Sequence, residues 1–200
     1  GFSTFIDPDG YYGYAEIGEG EEIFGILCHM DVVPAGDLTL WNTPAFEGTI
    51  KDGAIYGRGV QDDKGPSVAA LYAVKAVQEA GVTFNKKIRF IFGTDEENLW
   101  RCMEQYHKKE KGVDMGIAPD ANFPVIYAEK GLLQVYLTGE GTTDFSLTGG
   151  SALNVVPDTA VYSGDKADEV TAALSKLGYE FTQNGQEISV KGKSIHSKDA

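Results

Sequence analysis

Histidine and carboxylate residues recur where short apolar runs of the chain end. His29 and Asp31 follow the run 23–27. Asp62 and Asp63 follow residues 46–56 through Gly57-Arg58-Gly59. Asp95, Glu96 and Glu97 follow the run 87–93, and Asp120 follows the run 115–118. Carboxylates gathered at one place repel one another and destabilise a fold unless they are neutralised. One divalent cation, or two, supplies that neutralisation. Mixed imidazole and carboxylate ligands suit zinc, with manganese or cobalt as alternatives. A two-ion site about 3.5–4 Å across needs one bridging carboxylate and further groups to cap each ion. Each residue also has an ordinary explanation. His29 alone reads as a structural histidine, and Asp31 as a turn former, although, two residues on, it shares a strand face with His29 and suits a carboxylate that orients the imidazole. Asp62-Asp63 reads as a solvated turn, Glu96-Glu97 as first-turn helix acids, and Asp120 as an Asx-type turn. It is their coincidence at run ends that favours the metal reading.

The elements that must position these groups alternate between strand and helix. Residues 11–17 and 23–27 read as strands. Residues 46–51 and 54–56 flank Asp52-Gly53, a strong hairpin signal. Pro66 opens a nearly all-apolar helix over 67–80, which Gly81 stops and which is expected to be buried on most sides. A strand over 87–93, a helix over 99–109 and a strand over 115–118 follow. This alternation predicts an α/β layer with a mixed, partly parallel sheet flanked by helices. Ligands bind such sheets outside the carboxyl ends of the strands, where the histidine and acids fall. After Glu129-Lys130-Gly131 the texture changes. Strands over 132–138, 159–162, 179–182 and 187–191 and a helix over 167–177 read as a small α+β unit. The expected division is 1–133 and 134–200.

Composition limits the function classes. The chain has 200 residues, 17 Lys+Arg against 30 Asp+Glu, and a formal net charge of −13. That charge opposes nucleic acid as a partner. No apolar run approaches a membrane span. Cys28 and Cys102 are too few for a disulfide scaffold, so a reduced, cytoplasmic protein is the simplest expectation. A nucleotide-binding reading would rest on Gly57-Arg58-Gly59 alone, without a phosphate loop.

The residues then resemble a known family. His29-Met30-Asp31-Val32-Val33-Pro34 resembles the first signature of the dinuclear zinc metallopeptidases. Those include carboxypeptidase G, acetylornithine deacetylase, succinyl-diaminopimelate desuccinylase, aminoacylase and cytosolic dipeptidases. Gly57-Arg58-Gly59, followed by Asp62-Asp63-Lys64-Gly65-Pro66, resembles the second signature. Gly93-Thr94-Asp95-Glu96-Glu97 resembles the third and Pro119-Asp120-Ala121 the fourth. Order and spacing agree over about 20–200. The Asp-Asp-Lys-Gly-Pro form and Trp100-Arg101-Cys102-Met103 look closest to the bacterial dipeptidase branch.

The resemblance implies a phosphorylase/hydrolase-like catalytic domain and the start of an α+β lid. It implies that His29 and Asp120 ligate one zinc, Glu97 the other, and that Asp62 bridges them. Asp31 would orient His29, and the Asp62–Asp63 peptide bond is often cis in this family. Glu96 would act as general base on a metal-activated water, hydrolysing dipeptides or short peptides. In the lid, Gly192-Lys193-Ser194-Ile195-His196 resembles a stretch whose histidine contacts the transition state. Gly149-Gly150 and Asn154-Val155-Val156-Pro157 resemble a segment whose Asn contacts substrate. His107 reads as a solvated helix residue.

The sequence also departs from the family. Cys28 stands where many members carry a small residue. The terminal histidine of the second zinc, the late substrate-binding Arg and the N-terminal helix region have no counterpart among these residues. A piece of a longer enzyme is therefore expected, inactive by itself and holding one tight zinc ion or none. The alternatives are an N-acyl amino acid deacylase or desuccinylase of the same family, and a non-catalytic metal-binding module.

Overall fold

The computed structural model of the chain describes every residue except 37, 123, 132, 142, 151, 154 and 194–200. Asn154 and His196 therefore lie outside the described residues. The chain divides into two compact units, Gly1–Glu129 and Lys130–Ala200.

The first unit is built on a five-stranded mixed sheet. In chain order its elements are β1 (Ser3–Ile6), β2 (Tyr12–Ile17) and β3 (Ile23–His29), then the short hairpin β4 (Thr49–Lys51) and β5 (Ala54–Tyr56). Helix α1 (Gly65–Glu79), β6 (Lys87–Gly93), α2 (Arg101–Lys109) and β7 (Met115–Ile117) follow. The sheet order is β1-β2-β6-β3-β7, and β4 pairs only with β5. β3 runs parallel to both β6 and β7, while β2 runs antiparallel to β6 and to β1. This is the mixed, partly parallel α/β layer expected from the alternating pattern. β1 is an addition to the strands expected from the sequence, and β4 begins three residues later than the apolar run at Phe46.

Side-chain alternation along the strands sends residues to two faces. Phe90 joins Ile26, Cys28 and Val74 of α1 in one core cluster. Its neighbour Ile91 joins Tyr12 and Tyr106 of α2 in the other. A helix therefore packs against each face. Complete burial of the Phe90 ring contributes about 1.5–3 kcal/mol by removing apolar surface from water.

Helix α1 is not buried on most sides as its composition suggests. Only Ser67 and Val74 are buried, whereas Val68, Leu71, Tyr72 and Val77 are exposed. A single helix lying on one sheet face meets it along one stripe, whatever the composition of the other side.

The second unit lacks the first strand expected of it, since 133–138 forms none. Its strands are β8 (Phe145–Gly149), β9 (Thr159–Gly164), β10 (Phe181–Asn184) and β11 (Glu187–Lys191), with α3 (Ala167–Leu177) between β9 and β10. They form an antiparallel sheet in the order β10-β11-β9-β8. Ile188 is fully buried and α3 is closed by Gly178 in a left-handed conformation. Among the described residues, no helix is long and apolar enough to cross a membrane.

Candidate metal centre

Three parallel strands determine where the histidine and acids meet. β3, β6 and β7 point the same way, so their carboxyl ends open at one edge of the sheet. His29 is the last residue of β3, Glu96 and Glu97 follow β6, and Asp120 follows β7. Asp62 and Asp63 arrive from the irregular turn Val60–Lys64 at the start of α1.

That turn depends on Gly59, whose φ is 79°. A Cβ there would also lie 2.5 Å from Val32 Cγ1 and 2.9 Å from Lys64 Nζ. Only glycine combines a left-handed backbone with so close an approach. Lys64 reaches back and donates from Nζ to the Met30 carbonyl at 2.9 Å. The Asp62–Asp63 peptide bond is cis, the only cis bond among the described residues.

His29 is 2% exposed and anchors the group. Its Nε2 lies 2.8 Å from Asp62 Oδ1 and 3.4 Å from Asp120 Oδ2. Its Nδ1 lies 3.0 Å from the Asp31 backbone oxygen and 3.5 Å from Asp31 Oδ1. On the Nδ1 side the nearer Asp31 group is thus its backbone oxygen and not its carboxylate. The Asp31 carboxylate has a second function that spacing did not suggest. Oδ1 accepts the Glu96 N–H at 3.1 Å and Oδ2 accepts the Glu97 N–H at 3.0 Å. β3 ends at His29, so strand periodicity does not reach Asp31, and the turn geometry aims it at the acidic loop. Glu97 in turn accepts the Val33 N–H on Oε1 at 3.2 Å.

Asp63 is the residue to which the sequence pattern assigns no specific function. It is fully buried, and its Oδ2 accepts the His29 N–H at 3.2 Å and the Ser67 hydroxyl at 3.1 Å. It ties the end of β3 to the first turn of α1. Its direct adjacency to Asp62, just before Pro66, is the signal available in the sequence.

The electrostatics follow from crowding at a half-buried edge. Burial pushes the Glu96 carboxyl up to about 7, with Asp120, Glu97 and Asp62 adding to the rise and His29 opposing it. Burial, then Asp62, pushes Asp120 up to about 6. Burial also raises Glu97 and Asp63. Burial opposes a charge on His29, but Glu96, Asp120 and Asp62 outweigh it and raise its pKa. A proton is therefore held unusually tightly by a cluster of acids with too little positive charge near them.

The donor atoms fit a divalent cation. His29, Asp62 and Asp120 each offer a ligand atom within 4.8 Å of the others, and so do His29, Glu96 and Glu97. One imidazole nitrogen with carboxylate oxygens is a zinc-, manganese- or cobalt-compatible set. His107 lies in the last turn of α2, is exposed, and belongs to neither group.

The model of peptidase family M20/M25/M40 matches residues 25–196. The curated protein named "Putative dipeptidase YtjP" of Bacillus subtilis (strain 168) is 42% identical over 205 residues, covering 98% of this chain and 44% of its own length. A Staphylococcus epidermidis (strain ATCC 12228 / FDA PCI 1200) relative, also named for a dipeptidase, is 38% identical and covers 100% of this chain and 46% of its own length. The chain thus spans about half the length of the curated relatives it matches. Among solved structures, human carnosine dipeptidase 1 is 32% identical over 56% of this chain and 25% of its own, with a TM-score of 0.48.

Proposed function

The chain belongs to peptidase family M20/M25/M40, and from that premise we propose that it carries the metal-binding half-site of a hydrolase acting on dipeptides or short peptides. The carrying observation is the convergence on His29 Nε2 of Asp62 at 2.8 Å and Asp120 at 3.4 Å, beside half-buried Glu96. His29 and Asp120 would hold one divalent ion, Glu97 a second, and Asp62 would lie between them. Zinc is the proposed ion, with manganese or cobalt as alternatives. A cation bound there supplies Lewis-acid polarisation of a carbonyl oxygen and lowers the pKa of water.

The chain's own residues supply the proton handling. Glu96 is the proposed general base. Its carboxylate would accept a proton from the attacking water and deliver it to the departing amine. Asp31 holds the Glu96 and Glu97 amides, and its backbone oxygen holds the His29 ring. Asp63 holds the His29 main chain. Residues 1–133 form the catalytic part in this reading and 134–200 part of a lid. Within that lid, His196 would contact the reacting centre and Asn154 the substrate. Free, buried Cys28 and Cys102 are consistent with a reducing, cytoplasmic setting.

The test is hydrolysis of Xaa–Ala dipeptides against N-acyl amino acids by the full-length protein. Dipeptide turnover that depends on His29 and Glu96 is expected. Turnover of N-acyl amino acids alone would overturn the substrate assignment in favour of a deacylase. Cation binding without either activity would favour a non-catalytic module.

A further inference from the structure

The loop that carries Glu96 and Glu97 is closed by a contact that the metal reading leaves unused. Asp95 is only 6% exposed. Its Oδ2 accepts the Arg101 backbone N–H at 3.0 Å and Arg101 Nε at 2.7 Å, and its Oδ1 accepts Arg101 Nη2 at 2.7 Å. The Asp95 carbonyl also accepts the Trp100 N–H at 2.9 Å. Four hydrogen bonds therefore join the two ends of a loop whose second and third residues are Glu96 and Glu97.

Local preference does not explain this arrangement. Arg101 is the first residue of α2, where the helix dipole disfavours a cation. Trp100 before it adopts φ 56° and gives the helix no side-chain cap. A sequence chosen for the helix alone would place Ser, Thr or Asp at 100 and an acid at 101. The bidentate fork of Arg101 onto a buried carboxylate compensates both costs and spans the loop. Thr94 secures the entry, its hydroxyl donating to the Tyr11 carbonyl at 2.7 Å. The middle of the loop is pinned from across the edge by Asp31.

We propose that Asp95 and Arg101 form a clasp that positions the Glu96 and Glu97 carboxylates toward His29, with Asp95 as a positioning residue that touches neither substrate nor cation. The pair acts through loop geometry. The inference extends the metal reading, yet the loop geometry can be tested without any cation.

Two readouts separate the two ideas. In the cation-free chain, amide hydrogen exchange at Glu96 and Glu97 should speed up by about tenfold or more in Asp95→Asn and Arg101→Gln, as the loop loses its closure. Phe90 and Ile91 in β6 should keep their protection. Arg101→Lys retains the charge but not the fork, and should restore part of the protection. Cobalt(II) titration then reads the site itself. Asp95→Asn and Arg101→Gln should weaken cobalt binding by about tenfold and alter the visible absorption spectrum, the size of effect expected when a ligand's supporting partner is lost. Lys108→Gln, which breaks only the exposed pair with Glu104, should leave both readouts unchanged. Unaltered Glu96 and Glu97 exchange in Arg101→Gln would overturn the clasp, even if Asp95→Asn fails to fold. Absence of cobalt binding in the unmodified chain would sink the metal reading and leave the exchange result to decide the clasp.

Discussion

Raising the pH should destabilise the cation-free chain across the range in which most proteins are near their optimum. Glu96 is raised from 4.5 to about 7 and Asp120 from 3.8 to about 6. A carboxyl raised in the folded state binds its proton more tightly there than in the unfolded chain. Its stabilising protonation is therefore complete at low pH and lost as pH rises through the folded values. His29, also raised, works in the same direction, because its charged form favours the fold and disappears on the alkaline side. Between pH 5 and 7.5 the two acids, taken as independent, would contribute about 4 kcal/mol of lost stability. Each acid is partly responsible for the other's shift, and both are partly exposed, so about 2 kcal/mol is the realistic figure. For a unit of this size that lowers the melting temperature by roughly 6 °C. The assay is thermal unfolding by circular dichroism at pH 5.0 and 7.5, with chelator and again with saturating zinc. Glu96→Gln should remove more than half of the drop. Zinc should raise the melting temperature most at pH 7.5, where the ligands are deprotonated and binding favours the fold. A cation-free melting temperature that is flat or rises with pH would refute the reasoning. So would a Glu96→Gln drop equal to that of the unmodified chain.

Other expectations follow from the same geometry. His29→Ala should abolish measurable zinc binding in calorimetry, since both candidate ligand groups include that ring. In the full-length protein, Glu96→Gln should lower kcat for a dipeptide by about 10²–10⁴-fold with bound metal retained, the range for loss of a general base; metal-loaded activity near the unmodified level would exclude that role. Asp63→Ala should cost about 1–3 kcal/mol in urea unfolding, because it leaves the buried His29 N–H without its acceptor, whereas Asp63→Asn should cost less. Phe90→Ala should cost about 3–5 kcal/mol in the same assay by opening a cavity between β6 and α1.

Much of the site is legible in the sequence. His29, Asp62, Glu96, Glu97 and Asp120 stand out because residue type and position at strand ends are both local properties. The strands β2, β3, β6 and β7 are short, apolar and bounded by clear breakers, so they too can be read. Where the fold departs from the sequence pattern, the departures have a common cause. The run at 133–138 is as apolar as many strands but forms none, while β8 forms at Phe145–Gly149, where it pairs with β9. An apolar run becomes a strand only if a partner edge accepts it, and that is a long-range fact. The expectation of a deeply buried α1 fails similarly, since composition counts apolar residues but not the surfaces available to cover them.

By itself, the sequence determined which chemistry was available: one imidazole and several carboxylates, at the spacings of a metallopeptidase family. It also determined the alternation of strand and helix that puts them at strand ends. Only the tertiary structure decided the connections between them. Parallel pairing of β3 with β6 and β7 brings residues 29, 96–97 and 120 to one edge. The turn after β3 sends the Asp31 carboxylate to the Glu96 and Glu97 amides and leaves the imidazole to its backbone oxygen. The burial of Asp63 and the closing of the acidic loop by Asp95 and Arg101 arise in the same way. Hydrogen bonds between side chains and distant backbone depend on where loops cross in space, and no local pattern of residues encodes that crossing.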